Sequence, residues 1–338
     1  MNNDVNATLT LAPATEGSQT PCNAFGNPDS PRPLALTPGQ DLRGYLSAIL
    51  GRALLFFITF SSVLAVLLIL VFVVIRSLGF LSQSSIVEFL ASQNWRPTAD
   101  TPVFGALAII VGSLYVSFAA LVFAVPLGIL AAVFLSDIVS WKVRNVVKPI
   151  VEILAAIPSV AYGFFAVLVL APWMQRQFGF STGTNALNAS LILAIMALPT
   201  IISVAEDSIS ALGRELREAS YSCGATRLET IVRVVIPAAH SGILAAAVLG
   251  MMRAIGETMV VWMASGNAPQ IPHPWWDLSQ SVRTLTATIA GEMGEAPETS
   301  LHRGALFAMG VLLLLMTLGM NVVSEYFLAR AKKASGRA

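Results

Sequence analysis

Long uncharged, apolar runs separated by short charged segments organise this chain. The first run, 53–75, places 23 residues between Arg52 and Arg76. At about 1.5 Å per residue it makes about 34 Å of helix, enough to cross the hydrocarbon of a bilayer. The next, 103–135, is too long for one simple crossing and is punctuated by Gly105, Gly112, Pro126 and Gly128, which predicts a tilted or broken helix. A third run lies between Glu152 and Arg176 with Pro158 inside it, and the runs 187–205, 241–263 and 305–323 bring the expected number of spans to about six. The pattern predicts an all-α, polytopic membrane protein.

Composition supports this reading. Of 338 residues, 55% are hydrophobic and 12% charged, against about 45–50% and about 25% in soluble domains. So few charges cannot cover a water-facing surface, and lipid removes the need. Residues 1–42 hold six of the chain's 18 prolines among Asn, Ser, Thr and Gly, which predicts a disordered tail ahead of a membrane domain spanning 43–334. The tail does not read as a secretory signal, because no apolar run begins before Arg52. A net charge of +1 without a basic stripe gives no reason to expect nucleic acid. Cys22 and Cys223 fall in segments expected on the cytoplasmic side, so no disulfide is expected, and no CxxC or Cys/His cluster suggests a metal. His240, His273 and His302 are scattered, and no HExxH or Ser/His/Asp constellation suggests an intramembrane enzyme.

Basic residues near short loops stay cytoplasmic. With the N-terminus inside, thirteen Lys and Arg fall on the cytoplasmic side and five, Arg76, Arg96, Arg176, Arg283 and Arg303, on the other. Both termini are then expected in the cytoplasm of a bacterial cell, with the chain in its inner membrane. The largest outer segment, 265–302, carries Trp275 and Trp276, read as headgroup anchors, and a stretch over 279–293 able to form a short helix.

The most informative charged segment is 207–237. It contains Glu218-Ala219-Ser220, three residues, Gly224, nine residues, then Val234-Val235-Ile236-Pro237. That spacing resembles the EAA loop of ABC importer permeases, with Ser220 in place of an alanine. A short helix around Glu218, stopped by a glycine in a left-handed turn, can project from the membrane into a partner's groove and act as a lever. An ordinary amphipathic interfacial helix would fit the charges without requiring the glycine and proline. The chain has no GxxxxGK[ST] loop, so ATP and its magnesium are expected on a separate ATPase subunit and no cofactor in this chain.

Arg253 and Glu257 stand four residues apart in the fifth run, a spacing that puts them on one face of a helix. A lone arginine near the bilayer centre costs about 2.5–3.5 kcal/mol on insertion scales. Two readings stay open from the residues: an ion pair that keeps the span insertable, or a pathway lining. In the second, the guanidinium fork meets an oxyanion and the carboxylate accepts a hydrogen bond from a protonated one.

RAIGETMVVWMASGN around this pair is similar to the signature of the phosphate-specific ABC transporter permeases, with Thr258-Met259 and Gly266-Asn267 resembling the PstC-type subunit. The stretches 152–159, 162–163 and 281–309 agree, and the resemblance covers roughly 45–330. It implies a type I importer permease fold, a homologous PstA-type permease, two copies of a PstB-type ATPase and an extracytoplasmic phosphate-binding protein of PstS type. Arg253, Glu257 and, more weakly, Glu152 become the pathway residues it implies; Glu152 also reads as an interfacial carboxylate at a helix start. A sulfate or molybdate permease and an ion-coupled secondary transporter are the competing assignments, the latter having no use for an ATPase-shaped lever.

Overall fold

The computed structural model describes residues 38–334. Residues 1–37, with Cys22 and most of the expected tail, lie outside the described residues, whereas 38–42 already form the first turn of a helix. Two compact units divide at Val66. The described part of the first belongs to helix α1 (Pro38–Leu81), and from Ser47 to Val66 every residue is exposed. Its run of Leu, Phe, Ile and Val has the all-round apolarity that lipid solvates.

The second unit continues from Leu67. After α1 come α2 (Ile86–Ala91) and a short antiparallel hairpin of β1 (Trp95–Arg96) and β2 (Val103–Phe104). Then follow α3 (Leu107–Val133), α4 (Trp141–Ala156), α5 (Ser159–Phe165), α6 (Ala171–Phe178) and α7 (Ala186–Ser210). The chain goes on through α8 (Glu215–Ser222), α9 (Arg227–Thr230), α10 (Ile236–Ala238), α11 (His240–Gly256), α12 (Met259–Ala264), α13 (Leu285–Glu292) and α14 (Leu301–Ala334). Three π-helical turns, Phe134–Ile138, Ala166–Leu170 and Ile231–Val235, follow α3, α5 and α9.

Among the described residues, four helical stretches are long and apolar enough to cross a membrane: Ser47–Leu81, Leu107–Ile138, Ala186–Ser210 and Leu301–Tyr326. The number rises to six if two bent pairs each count as one span, α4 with α5–α6 (88°) and α9–α10 with α11 (70°). Of the tilted or broken helix expected over 103–135, the break does not occur, since the helix continues past Pro126 into its π-turn. The third run does break. Pro158 disfavours the helical conformation of the residue before it, and Ile157 is extended at φ −65°, ψ 128°. The fifth run, expected as one helix over 241–263, is two, because α11 ends at Gly256 and α12 starts at Met259.

The core forms where α3, α7 and α11 pack on faces of small residues. Ala120, Ala124 and Ala132 of α3 meet Ala189, Ala194 and Ala197 of α7 and Ala246 of α11 in one buried cluster. Lipid gives helices no hydrophobic reason to associate, so close backbone approach across small residues supplies the van der Waals contact instead. Ile201 of α7 is the wedge: a Cβ added to Gly128 or to Gly250 would come within 2.6 Å of its side chain. A second cluster, built by Phe80, Phe89, Trp95, Ile109, Leu285 and Met309, packs α13 and the hairpin against the start of α14.

Gly250→Val is expected to lower the stability of the detergent-purified protein by about 1–3 kcal/mol through overpacking against Ile201. A thermal unfolding midpoint equal to the wild type would show that α7 and α11 are not in this contact.

Candidate transport site and coupling segment

The 207–237 segment folds as two short helices at an angle set by local chemistry. Helix α8 ends in a paired cap: Gly224 N donates to Tyr221 O at 2.9 Å and Ala225 N to Ser220 O at 3.3 Å. This 5→2 and 6→1 pattern requires a left-handed residue, which Gly224 supplies at φ +81°. The next helix opens on a capping box, with Thr226 Oγ1 and Glu229 reciprocally bonded. Ser220, the residue standing for an alanine in the loop motif, shares a 2.8 Å hydroxyl bond with buried Thr230 and so joins the two helices. Glu218, Ala219 and Gly224 are exposed, as is Pro237, and beside them Tyr221, Leu228 and Val232 present large apolar side chains.

The base of α8 is bound to the helical bundle. Arg217 Nε donates to Asp137 Oδ1 at 2.6 Å, and its Nη2 donates to Ile209 O at 3.1 Å. Arg227 donates to the Asp137 backbone carbonyl from the far side of the loop. Nearby, Glu206 of α7 is 1% exposed and takes both Arg144 and Lys148 from α4, the lysine at 2.7 Å. Ser210 donates to the same carboxylate at 3.1 Å, and Lys148 reaches Asp207 at 3.0 Å. Sequence reading placed Arg144, Lys148 and Arg217 only by their charge and passed over Asp137 and Glu206. No local signal marks those acids, whose cationic partners lie 58 to 90 positions away.

Arg253 and Glu257 do not share a helical face. Arg253 sits in the last turn of α11, exposed, with its Nε donating to Met196 O of α7 at 3.2 Å. That carbonyl adjoins the one at Ile195, to which Pro199 has no N–H to offer. Glu257 follows the helix end at φ −74°, ψ 133°, half-buried, its carboxylate accepting from Thr258 N at 3.2 Å. Among the described residues no ion pair joins Arg253 and Glu257. The ion-pair reading of the fifth run therefore loses its geometry, and each group is left available to something else. Glu152 lies four positions before the end of α4, exposed, so a helix-start role does not apply.

On the side of the molecule that carries α13, Glu292 is the hub. It accepts from Trp95 Nε1 at 2.9 Å, from Arg283 Nη1 at 2.5 Å and pairs with His302 Nε2 at 2.8 Å. His302, in the first turn of α14, thus joins this cluster beside the aromatic hairpin. The 265–302 loop is ordered by Asp277, whose carboxyl the Ser279 hydroxyl and the Gln280 amide hold below the usual range. Trp275 and Trp276 stand exposed at its tip.

The described residues thus form a polytopic helical bundle with a capped two-helix segment at Gly224 and a helix break at Glu257 within it. Residues 124–333 match the family described as binding-protein-dependent transport system inner membrane component. The chain belongs to that family. It is 39% identical over 246 residues to the probable ABC transporter permease protein YqgH of Bacillus subtilis (strain 168), covering 73% of this chain and 79% of that one. It is 35% identical to the phosphate transport system permease protein PstC of Mesorhizobium japonicum, over 74% of this chain and 80% of that one. A bacterial alginate ABC transporter, solved with an alginate pentasaccharide-bound periplasmic protein, superposes with a TM-score of 0.59 at 16% identity, over 85% of this chain and 98% of that one. The inward-facing MetNI methionine ABC transporter gives 0.51 at 19% identity, over 65% and 93%. These solved structures establish the type I ABC importer permease fold.

Glu206→Ala should strand two cations and destabilise the protein by about 2–3 kcal/mol, less than a fully buried pair because both cations are partly solvated. The unfolding midpoint in detergent reads this; no shift would remove Glu206 as the clamp between α4 and α7.

Proposed function

We propose that this chain is the PstC-type membrane-spanning subunit of an ATP-driven importer of inorganic phosphate and provides half of an alternating-access pathway. The observation that carries the importer reading is the 214–237 projection, a helix locked by a glycine cap and tied at its base to the ends of α3 and α7. The named PstC relatives supply the substrate. The chain is a transport subunit, and the reaction that drives it is ATP hydrolysis, with magnesium, on two copies of a separate PstB-type ATPase. A homologous PstA-type permease completes the pathway, and an extracytoplasmic PstS-type protein delivers phosphate. In this arrangement α8 faces the cytoplasm and α13 the opposite side of the inner membrane, with both termini cytoplasmic.

In this reading each group has a task. The ATPase grips the exposed face of α8 around Glu218 and Ala219. When the ATPase closes, Arg217 passes the motion to Asp137 at the end of α3, and Ser220 passes it through Thr230 to the helix leading into α11. Arg253 then meets the anion with a planar fork of donors. Glu257 accepts the hydrogen bond of the proton that phosphate keeps near neutral pH and sulfate does not, which favours phosphate. Glu152, exposed beside the bend at Pro158, is the weaker third contact on this path.

Arg253→Gln is expected to leave the complex assembled and to cut phosphate uptake at least about tenfold, a barrier change of about 1.4 kcal/mol. Normal uptake by that variant would remove Arg253 from the pathway, and uptake of sulfate in place of phosphate by the wild type would replace the substrate. Gly224→Leu meets open space but a forbidden φ, so it should unwind the cap and uncouple or release the ATPase; full co-purification and coupling would count against the lever.

A further inference from the structure

The break after Gly256 leaves the Glu257 backbone extended and outside the helical ladder. Its carbonyl is taken by a side chain from another element, Thr286 Oγ1, which donates to it at 2.8 Å. Thr286 is 7% exposed and lies in the first turn of α13. That helix is fixed at both ends. At its start, Leu285 N donates to Ser113 Oγ of α3 at 2.8 Å, and Ser113 in turn donates to Ile109 O at 2.9 Å. At its finish, Glu292 is held by Trp95, Arg283 and His302. The Thr286 hydroxyl is therefore placed by two anchors before it reaches Glu257. Glu257, Ser117, Thr284 and Thr286 also line one narrow cavity of about 10 Å³, so Thr286 and Glu257 border the same space.

A carbonyl and its own side chain share one Cα, so holding the first limits where the second can point. We propose that Thr286 is a positioning residue for transport: its hydroxyl, bonded to the Glu257 carbonyl, sets the place from which the Glu257 carboxylate meets the oxyanion. The proposal rests on the reading of Glu257 as a pathway residue. It makes α13 a strut between the Glu292 cluster on one side of the membrane domain and the break within it, so the carboxylate's position follows the loops that carry the cluster. A threonine kept merely to fill volume or to satisfy a carbonyl would affect the amount of folded protein, not the rate of each assembled copy.

The test is phosphate uptake by the complete transporter in proteoliposomes, supplied with its loaded binding protein and normalised to assembled complex. Thr286→Val keeps the shape and removes the donor; its maximal rate is expected to fall about tenfold, with the apparent affinity for the loaded binding protein unchanged. Thr286→Ser keeps the donor and is expected to retain most of the wild-type rate. Wild-type turnover by the valine variant, or a serine variant as slow as the valine one, would overturn the proposal. If valine prevents assembly, Thr286→Ala is compared with Thr286→Ser by the same criterion. Glu257→Gln transporting at the wild-type rate would overturn the underlying reading of Glu257. A slow Glu257→Gln beside a normal Thr286→Val would overturn only the tether.

Discussion

Inside a bilayer no water can take over a backbone carbonyl that a helix releases, so each irregularity in a spanning segment must be answered by a protein donor. This constraint explains where the chain places its buried polar side chains. The π-turn after α5 exposes Ala166 O to Asn188 Nδ2 at 3.0 Å. In α7, one turn before Pro199, Met196 O receives Arg253 Nε at 3.2 Å. The end of α11 receives Thr286 at Glu257 O. Helix breaks and the side chains that satisfy them occur together, and they cluster where α7, α11, α12 and α13 converge.

The two sides of the domain solve different problems. Around α8 the chain uses charge: Arg217 with Asp137 fastens a short helix whose own propensity would not hold it, and Arg144 and Lys148 with Glu206 join α4 to α7. The acids involved are 8% and 1% exposed, so their pairs feel a lower effective dielectric than a surface pair does. Around α13 an aromatic hairpin and one acid, Glu292, gather three donors from separate segments. Both arrangements leave the middle of the bundle to small residues, where Ile201 fits between Gly128 and Gly250.

Much of the candidate site could be read locally. Gly224 adopts the left-handed turn that its place in the motif requires, and the helix it stops runs Glu215–Ser222. The Arg253 and Glu257 spacing suggested a shared helical face only because an uninterrupted helix was assumed; a Gly-Glu junction carries no strong signal for a break, unlike the Ile157-Pro158 junction. Glu206 was equally silent, since it follows an apolar helix and looks like the first residue of a solvated loop until α4 folds back over it.

The sequence by itself determined that this chain partitions into a membrane as several helices, where the first of them runs, and that a short glycine-capped helix lies between two spans. Those features depend on run length, composition and backbone preferences within a few residues. Tertiary structure alone decided how Arg253 and Glu257 are separated, which acids bind the base of that helix, and that Thr286 reaches the break. Each of these is a hydrogen bond or ion pair closed over dozens of residues, and its partner is chosen by how α3, α4, α7 and α13 pack.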